Sequence, residues 1–404
     1  MNPHEYNVQV REWITTAVGI RASVSLNELA NTLPGVHPND IAREFSALAG
    51  LTLADEVAPL TRRAAPHAIK LPVPHPLDFD WRFTSETINF VFHRMEEIDL
   101  TAHGLCFLGA PTLFRAALER GISKPFYLVD ASVTSALAMQ GAPGRVFVTD
   151  LLNDRLPALR AGIVVADPPW YEEFIRAFLW AAAQLVELGG SVLLSFPPVG
   201  TRPHVEEEWK RTERFAEQLG LSLREKSLSL KYASPPFEQN ALRAAHHQYV
   251  HPDWRPGVLV LFQKTGESRE PRPATDIHHE KWEEESVLGV RWRFRRQQQA
   301  IECRPLLVEA VPGDTLDSVS RRDPRRASAD VWTSGNRIFA CLDTASLGLI
   351  TKAVAAGTRP DTYLSDAFGR KLTQAERQDV LLAAKDVATI TSRELREYLL
   401  NWEE

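Results

Sequence analysis

Ile163-Val-Val-Ala-Asp167-Pro168-Pro169-Trp170, running directly into the apolar-faced segment Tyr171 to Leu188, decides the fold of this chain. A short, continuously apolar run that ends in an acid and two prolines predicts a strand covered on both faces, and the segment after it predicts a long helix. The pattern repeats outward in both directions. Gly104-Leu-Cys-Phe-Leu-Gly109, Pro125-Phe-Tyr-Leu-Val-Asp130, Arg145-Val-Phe-Val-Thr-Asp150 and Ser191-Val-Leu-Leu-Ser-Phe196 read as strands, Thr112 to Arg120 and Ser132 to Met139 as helices. Such alternation predicts a doubly wound α/β domain built on a mainly parallel sheet. A helix over Val205 to Leu219 and strands over Leu221 to Leu230 and Gly257 to Lys264 would complete seven strands ending in an antiparallel hairpin.

Two further units flank this sheet. Before it, Val10, Trp13, Ile14 and Val18 recur at helical spacing, and helix starts follow at Ser25 and Pro38. The turn Leu33-Pro34-Gly35-Val36 has helix-turn-helix proportions, and residues 1–65 resemble a winged-helix domain. That resemblance implies a nucleic-acid partner, although the helix Asn39 to Leu48 offers only Arg43 as a basic residue. A protein partner, including a second copy of the chain as a homodimer, is the other expectation for this unit. The proline-rich stretch Pro66 to Pro76 reads as a linker into the sheet domain, placed at 77–265. Residues 276–404 form a C-terminal α+β unit without an assigned role, with helices over Ala345 to Ala355 and Thr373 to Leu400.

Composition narrows the function classes. With 44% hydrophobic and 24% charged residues over 404 positions, the chain has enough apolar material for two or three cores. No apolar run is long enough to span a bilayer and the N-terminus does not read as a secretory signal, so a cytoplasmic protein is expected. A net charge of -6 argues against a surface coated for general nucleic-acid binding. The arginine groups Arg291 to Arg296 and Arg321 to Arg326 are candidate phosphate contacts or solvated surface. Cys106, Cys303 and Cys341 are widely spaced and read as free structural thiols. His246, His247, His251, His278 and His279 lack metal-ligand spacing, so no metal is expected.

In an open parallel sheet, ligands bind beyond the carboxyl ends of the strands, where the strand order reverses. Three of the four leading strands end in an acid: Asp130, Asp150 and Asp167. A carboxylate at the position of Asp130 suits ribose hydroxyls, and one at Asp150 suits an adenine amino group. Together they point to an adenosine-bearing cofactor. Two later proline-rich segments, Phe196 to Pro203 and Ser234 to Asn240, are expected to wall a substrate pocket, with Arg202, Phe237 and Asn240 as contacts.

Asp167-Pro168-Pro169-Trp170 resembles the D-P-P-[YW] signature of class I S-adenosylmethionine-dependent methyltransferases that act on exocyclic amino groups. The resemblance covers about residues 80 to 265 and implies a Rossmann-like fold, S-adenosylmethionine as cofactor, and a nucleobase amine, such as adenine N6, or another amine as acceptor. It implies that Asp167 and the Pro168 carbonyl accept the amine hydrogens, while Trp170 or Tyr171 stacks on a planar acceptor. Gly109, Pro111 and Thr112 then form the cofactor loop, with Thr112 expected to cap the next helix. This loop departs from the family's glycine-rich pattern, having only Gly109 before Ala110-Pro111-Thr112. The layout is also similar to branched-chain polyamine synthases, which implies an aminopropyltransferase; their first loop is aspartate-rich, whereas this one is uncharged. A catalytically silent nucleotide-binding adaptor or regulator is the third reading, favoured if side chains fill the space above Gly109.

Overall fold

The computed structural model describes residues 3–19, 23–48, 52–53, 69–98, 103–139, 141, 145–247, 250–251, 253–274, 282–297 and 303–401. His278 and His279 lie outside the described residues, as do residues 54–65 of the N-terminal unit and the first part of the expected linker.

The N-terminal unit comprises α1 (Pro3–Val18), β1 (Ser23–Val24), α2 (Leu26–Thr32), α3 (Pro38–Ser46) and β2 (Thr52–Leu53). Tyr6, Val10, Ile14 and Val18 form the buried stripe of α1 at four-residue intervals. Ser25 starts α2 in a capping box with Glu28, satisfying two backbone donors that the helix leaves open. The two strands pair in parallel over two residues. This unit does not stand apart from the rest of the chain: Leu242, Val250 and Trp254 complete its core, and Tyr6 Oη donates to the Gly200 carbonyl at 2.7 Å. A Cβ on Gly200 would lie 2.7 Å from the Pro34 carbonyl oxygen, so the turn between α2 and α3 is seated on the loop after the fifth predicted strand.

The central domain runs β3 (Arg82–Phe83), α4 (Ser85–Ile98), β4 (Leu105–Leu108), α5 (Pro111–Glu119), β5 (Phe126–Asp130), α6 (Val133–Ala138), β6 (Arg145–Val148), β7 (Ala161–Ala166), α7 (Glu172–Leu185), β8 (Val186–Phe196), α8 (Val205–Gln218), β9 (Leu221–Ala233), α9 (Pro236–Ala244) and β10 (Arg255–Lys264). The sheet order is β3-β9-β10-β8-β7-β4-β5-β6. The seven predicted strands are present, and the eighth, β3, pairs antiparallel with the edge of β9. Strands β4 to β8 are mutually parallel, while β10 runs antiparallel between β8 and β9. Two apolar layers cover the sheet. One is built from α7 and α8 against β7, β8 and β10; the other from α4 and α5. The chain leaves β4 toward β5 and β6 in one direction and returns through β7 and β8 in the other. The switch point therefore falls between β4 and β7, and Asp167 N–H donates to the Leu108 carbonyl there at 3.0 Å.

The C-terminal unit is an antiparallel sheet of β11 (Trp282–Val287), β12 (Val290–Arg295), β13 (Val308–Glu309), β14 (Val331–Thr333) and β15 (Ile338–Ala340), packed on α10 (Thr344–Ala355), α11 (Pro360–Phe368) and α12 (Gln374–Asn401). Strand period explains Arg291 to Arg295. Trp292 and Phe294 enter the core, while Arg291 and Arg293 point to the other face and pair with Asp78 and Glu284. The described part of the expected linker is built into this unit: His75 is fully buried, with Nε2 3.1 Å from the Trp332 carbonyl, and Val73 accepts from Arg291 at 3.0 Å. Among the described residues, no helix is long and apolar enough to cross a membrane.

Candidate functional site at the sheet switch point

A cleft of about 1500 Å³ opens over the carboxyl ends of the strands. Gly109, Pro111, Asp130, Asp150 and the Asp167-to-Tyr171 loop form its floor; Asn39, Asp40 and Arg43 of α3 form one wall, and Trp282, Glu284 and Ser318 to Arg322 form another. Asn39 Nδ2 donates to the Asp317 carbonyl at 3.1 Å, joining the N-terminal and C-terminal units beside the opening.

Gly109 has a left-handed backbone (φ +61°), and a Cβ there would meet Phe178 at 2.7 Å and the Asp167 carbonyl oxygen at 3.1 Å. Backbone is thus bare where β4 ends, and the D-P-P-W loop approaches it closely. The Phe178 ring lies where that Cβ would point, while Gly109 itself remains part of the cleft floor. Gly109→Ala is expected to cost about 2–4 kcal/mol in unfolding free energy, from left-handed strain plus overpacking. An unchanged denaturant midpoint would show that the loop relaxes freely. Thr112 does not cap α5. It is buried, and Ala110 occupies the cap position without a side-chain acceptor.

Asp130 accepts from Ser132 N–H at 2.7 Å through Oδ1, and Oδ2 has no partner among the described residues. Burial pushes its carboxyl up to about 7, with the charges of Asp80 and Asp78 adding to the effect. Asp150 is arranged differently: its carboxylate accepts from Leu152 N–H at 2.9 Å and Asn153 Nδ2 at 2.8 Å, closing its own turn. The strand-end cap that such a residue commonly provides is what Asp150 does here.

At Asp167 the structure supplies two partners that sequence reasoning missed. Ser195 Oγ and Tyr232 Oη both donate to Oδ1, at 2.5 Å and 2.6 Å. Oδ2 has no partner among the described residues, and the side chain lines the cleft. Burial raises this carboxyl as well, to about 7. Trp170 is held behind it, edge-on to Tyr232 at 5.2 Å and 3.4 Å from Ser195 Oγ through its indole N–H. Gly257 makes room for the indole, since a Cβ there would lie 3.0 Å from the ring. Tyr171 is enclosed by Phe79 at 5.9 Å and by the guanidinium groups of Arg202 and Arg321 at 5.9 Å and 5.6 Å.

The remaining expected contacts divide. Arg202 lines the cleft but is tied to Glu208. Phe237 and Asn240 lie elsewhere. Phe237 is fully buried edge-on to Trp81, and Asn240 Nδ2 donates to the Gly335 carbonyl at 2.8 Å, joining α9 to the C-terminal unit. Both sit where the central and C-terminal units join, because α9 packs its first turn inward. The arginine groups are also largely committed: Arg321 pairs with Glu173 at 2.7 Å and Arg325 with Asp323 at 2.7 Å. Among the described residues, no group of three or more His, Cys, Asp or Glu side chains is placed to hold a metal ion.

No family model and no curated protein matches the sequence. Solved structures similar to it include the C9 mutein of a branched-chain polyamine synthase from Thermus thermophilus in complex with N4-aminopropylspermidine and 5'-methylthioadenosine. That likeness has 17% identity, covers 69% of this chain and 97% of the other, and has a TM-score of 0.49. A protein from Pyrococcus horikoshii described as an RNA methyltransferase is similar at 15% identity, covering 49% of this chain and 93% of that one, with a TM-score of 0.36. A 16S rRNA N2 methyltransferase from T. thermophilus, in complex with AdoMet and guanosine, is similar at 15% identity over 55% of this chain and 51% of that one, with a TM-score of 0.32. From its own strand order, the chain has a doubly wound, Rossmann-like sheet with a carboxylate-lined cleft at its switch point, carried between a helical unit and an antiparallel-sheet unit.

Proposed function

We propose that this protein transfers the methyl group of S-adenosylmethionine to an amino group held between Asp167 and the Pro168 carbonyl. The observation that carries this reading is the Oδ2 of Asp167 at the switch point, which like the Oδ2 of Asp130 has no partner among the described residues, beside the bare backbone of Gly109. The residues present fit an adenosyl-sulfonium compound. Gly109 leaves a cradle that a side chain would fill, and Asp130 has one carboxyl oxygen available for ribose hydroxyls. When bound, that compound supplies an electrophilic methyl group on a positively charged sulfur.

The chain's own residues then orient the acceptor. Asp167 Oδ2 and the Pro168 carbonyl accept its N–H groups and aim the nitrogen lone pair. Trp170 braces the carboxylate from behind, and Tyr171 anchors the C-terminal unit over the loop through the Arg321 N–H at 3.2 Å. The nucleobase acceptor implied by the D-P-P-W signature would have to enter between α3 and the loop 317–322, which the Asn39–Asp317 hydrogen bond joins. A small amine suits that entrance better than a base within a duplex. In this reading the N-terminal unit serves as a cleft wall.

An aminopropyl donor is the second reading, favoured by Asp78 and Asp80 beside Asp130, since the decarboxylated compound keeps the ammonium and lacks the carboxylate that these acids would repel. The silent-adaptor reading has less support, because the cleft at Gly109, Asp130 and Asp167 is open.

Isothermal calorimetry tests the proposal. S-adenosylmethionine is expected to bind, and Asp130→Ala to weaken it at least about tenfold, the scale of one lost charge-assisted hydrogen-bond set. Tighter binding of the decarboxylated compound would favour aminopropyl transfer. Failure of both compounds and of S-adenosylhomocysteine to bind would overturn both transfer readings.

A further inference from the structure

We infer that Tyr232 and Ser195 are positioning residues: by giving both hydroxyls to Oδ1 of Asp167, they leave Oδ2 as the single outward acceptor, and the site takes its acceptor as an aliphatic ammonium whose proton Asp167 receives. The inference rests on the transfer reading above for the fate of the amine, and on geometry alone for the positioning.

A carboxylate with two free oxygens rotates and presents either one. Here the rotation is blocked. Ser195 and Tyr232 donate to the same oxygen at 2.5 Å and 2.6 Å, and each donor is itself fixed. Tyr232 is 2% exposed, between Phe83 at 4.8 Å and Trp170 at 5.2 Å; Ser195 is also 2% exposed and lies 3.4 Å from the Trp170 indole nitrogen. Two O–H donors also stabilise the charged form of a carboxyl that burial would otherwise neutralise. Asp167 is thereby held near the balance point between acid and base at neutral pH.

The charges around it select the acceptor. Asp80 acts on both Asp167 and Asp130 as a like charge. Many of the cationic side chains bordering the cleft have carboxylate partners: Arg43 with Asp40, Arg202 with Glu208, Arg255 with Glu238, and Arg291 and Arg293 with Asp78 and Glu284; Arg322 and Arg326 line it from the wall that carries Ser318. Arg255 also acts on Tyr232 from β10, and its pairing with Glu238 limits that field. Arg82, paired with Asp80 at 3.1 Å, offsets part of the effect at Asp130, whereas among the described residues the charge acting on Asp167 is that of Asp80; the position at Asp167 is an environment for an ammonium rather than a neutral exocyclic amine. An ammonium also has enough N–H groups to satisfy Oδ2 and the Pro168 carbonyl together.

The chemistry balances. One ammonium N–H proton passes to Asp167 Oδ2, giving a neutral amine and a neutral carboxylic acid. The freed nitrogen lone pair forms the new N–C bond as the C–S⁺ bond breaks, and its electron pair stays on sulfur as a neutral thioether. The alkylated nitrogen carries the positive charge, and Asp167 releases its proton to solvent for the next cycle.

Carboxyl ¹³C NMR of the full chain labelled in aspartate, with Asp167 assigned from the difference to Asp167→Asn, reads the positioning without any donor. Removing the donors in Tyr232→Phe and in Ser195→Ala is expected to raise the Asp167 midpoint, by roughly one pH unit in the double variant. The single variants keep the ring or the strand packing and serve if the double one fails to fold. Midpoints equal to wild type would overturn the positioning role. In the same spectra n-propylammonium chloride is expected to shift the Asp167 signal and lower its midpoint. A shift with adenine and none with n-propylammonium would overturn the ammonium class. Calorimetry with S-adenosylmethionine on the same samples separates the two levels: if that compound fails to bind, the transfer reading falls while the NMR result stands on its own.

Discussion

Asp167→Asn is expected to slow transfer by about 10³-fold while leaving S-adenosylmethionine affinity within a few-fold of wild type, because it removes the anionic acceptor and keeps the shape. The expected pH behaviour follows from the direction of its shift. Burial raises the Asp167 carboxyl from 3.8 to about 7, so the ionised, proton-accepting form accumulates only as pH climbs through 7. Wild-type rate should rise across that window, and a flat profile between pH 5 and 8, on the order of the titration width, would contradict a base at Asp167.

Stability runs the opposite way. A carboxyl whose folded value lies above its unfolded one contributes stability that is fully present below about pH 4 and is lost as pH rises through 7. The permanently neutral Asn side chain should therefore make the protein more stable than wild type at pH 8, by about 2–4 kcal/mol, and no more stable at pH 4. Thermal unfolding at the two pH values checks this sign. A variant that is more active or less stable than wild type at pH 8 would remove Asp167 from the centre of the site.

The other large effect lies far from the cleft. Arg337, 3% exposed, pairs with Asp314 and Glu397 and lies 3.6 Å from Glu394, which is fully buried on α12 and accepts from Thr333. Gly335 allows this approach, since a Cβ there would lie 2.5 Å from the Glu394 carboxyl carbon. Arg337→Met is expected to cost about 3–5 kcal/mol, because it removes the cation beside the fully buried Glu394 and one of the cations at Asp314 and Glu397, which keep Arg393. Adding Glu394→Gln should recover part of that loss in a double-mutant cycle, whereas additive losses would show that the two groups do not interact. The same network reaches α9 through Asn240, 3.2 Å from Glu397 Oε2, so unfolding of the C-terminal unit is expected to loosen one wall of the cleft as well.

The sequence carried the sheet because its strands are continuously apolar and each ends at a visible break. Asp130, Asp150 and Asp167 could be placed at one edge by counting alone. What those carboxylates do could not. Asp150 turns back onto Leu152 and Asn153, a local bond that leaves no mark distinct from a ligand-binding acid. Tyr232 and Ser195 lie 65 and 28 residues from Asp167, on β9 and β8, and meet it only because of how the sheet's strands are ordered. A buried tyrosine near the end of a polar, alternating strand was the one available signal. The proline-rich Pro66 to Pro76 reads as a spacer by composition, yet His75 and Val73 are tied into the C-terminal unit, and Asp78 and Asp80 reach the cleft directly after it. Phe237 and Asn240 show the reverse case: side chains of the kind that walls a pocket, placed instead by helix α9 at the joint between units.

The most direct measurement is a single incubation of the full chain with trideuteromethyl S-adenosylmethionine and a cell extract of small amines, read by mass spectrometry. Wild type is expected to convert the donor to S-adenosylhomocysteine and to add a trideuteromethyl group to one extract amine, with both products formed about 10³-fold more slowly by Asp167→Asn. Donor that remains intact in the presence of every amine fraction would contradict it.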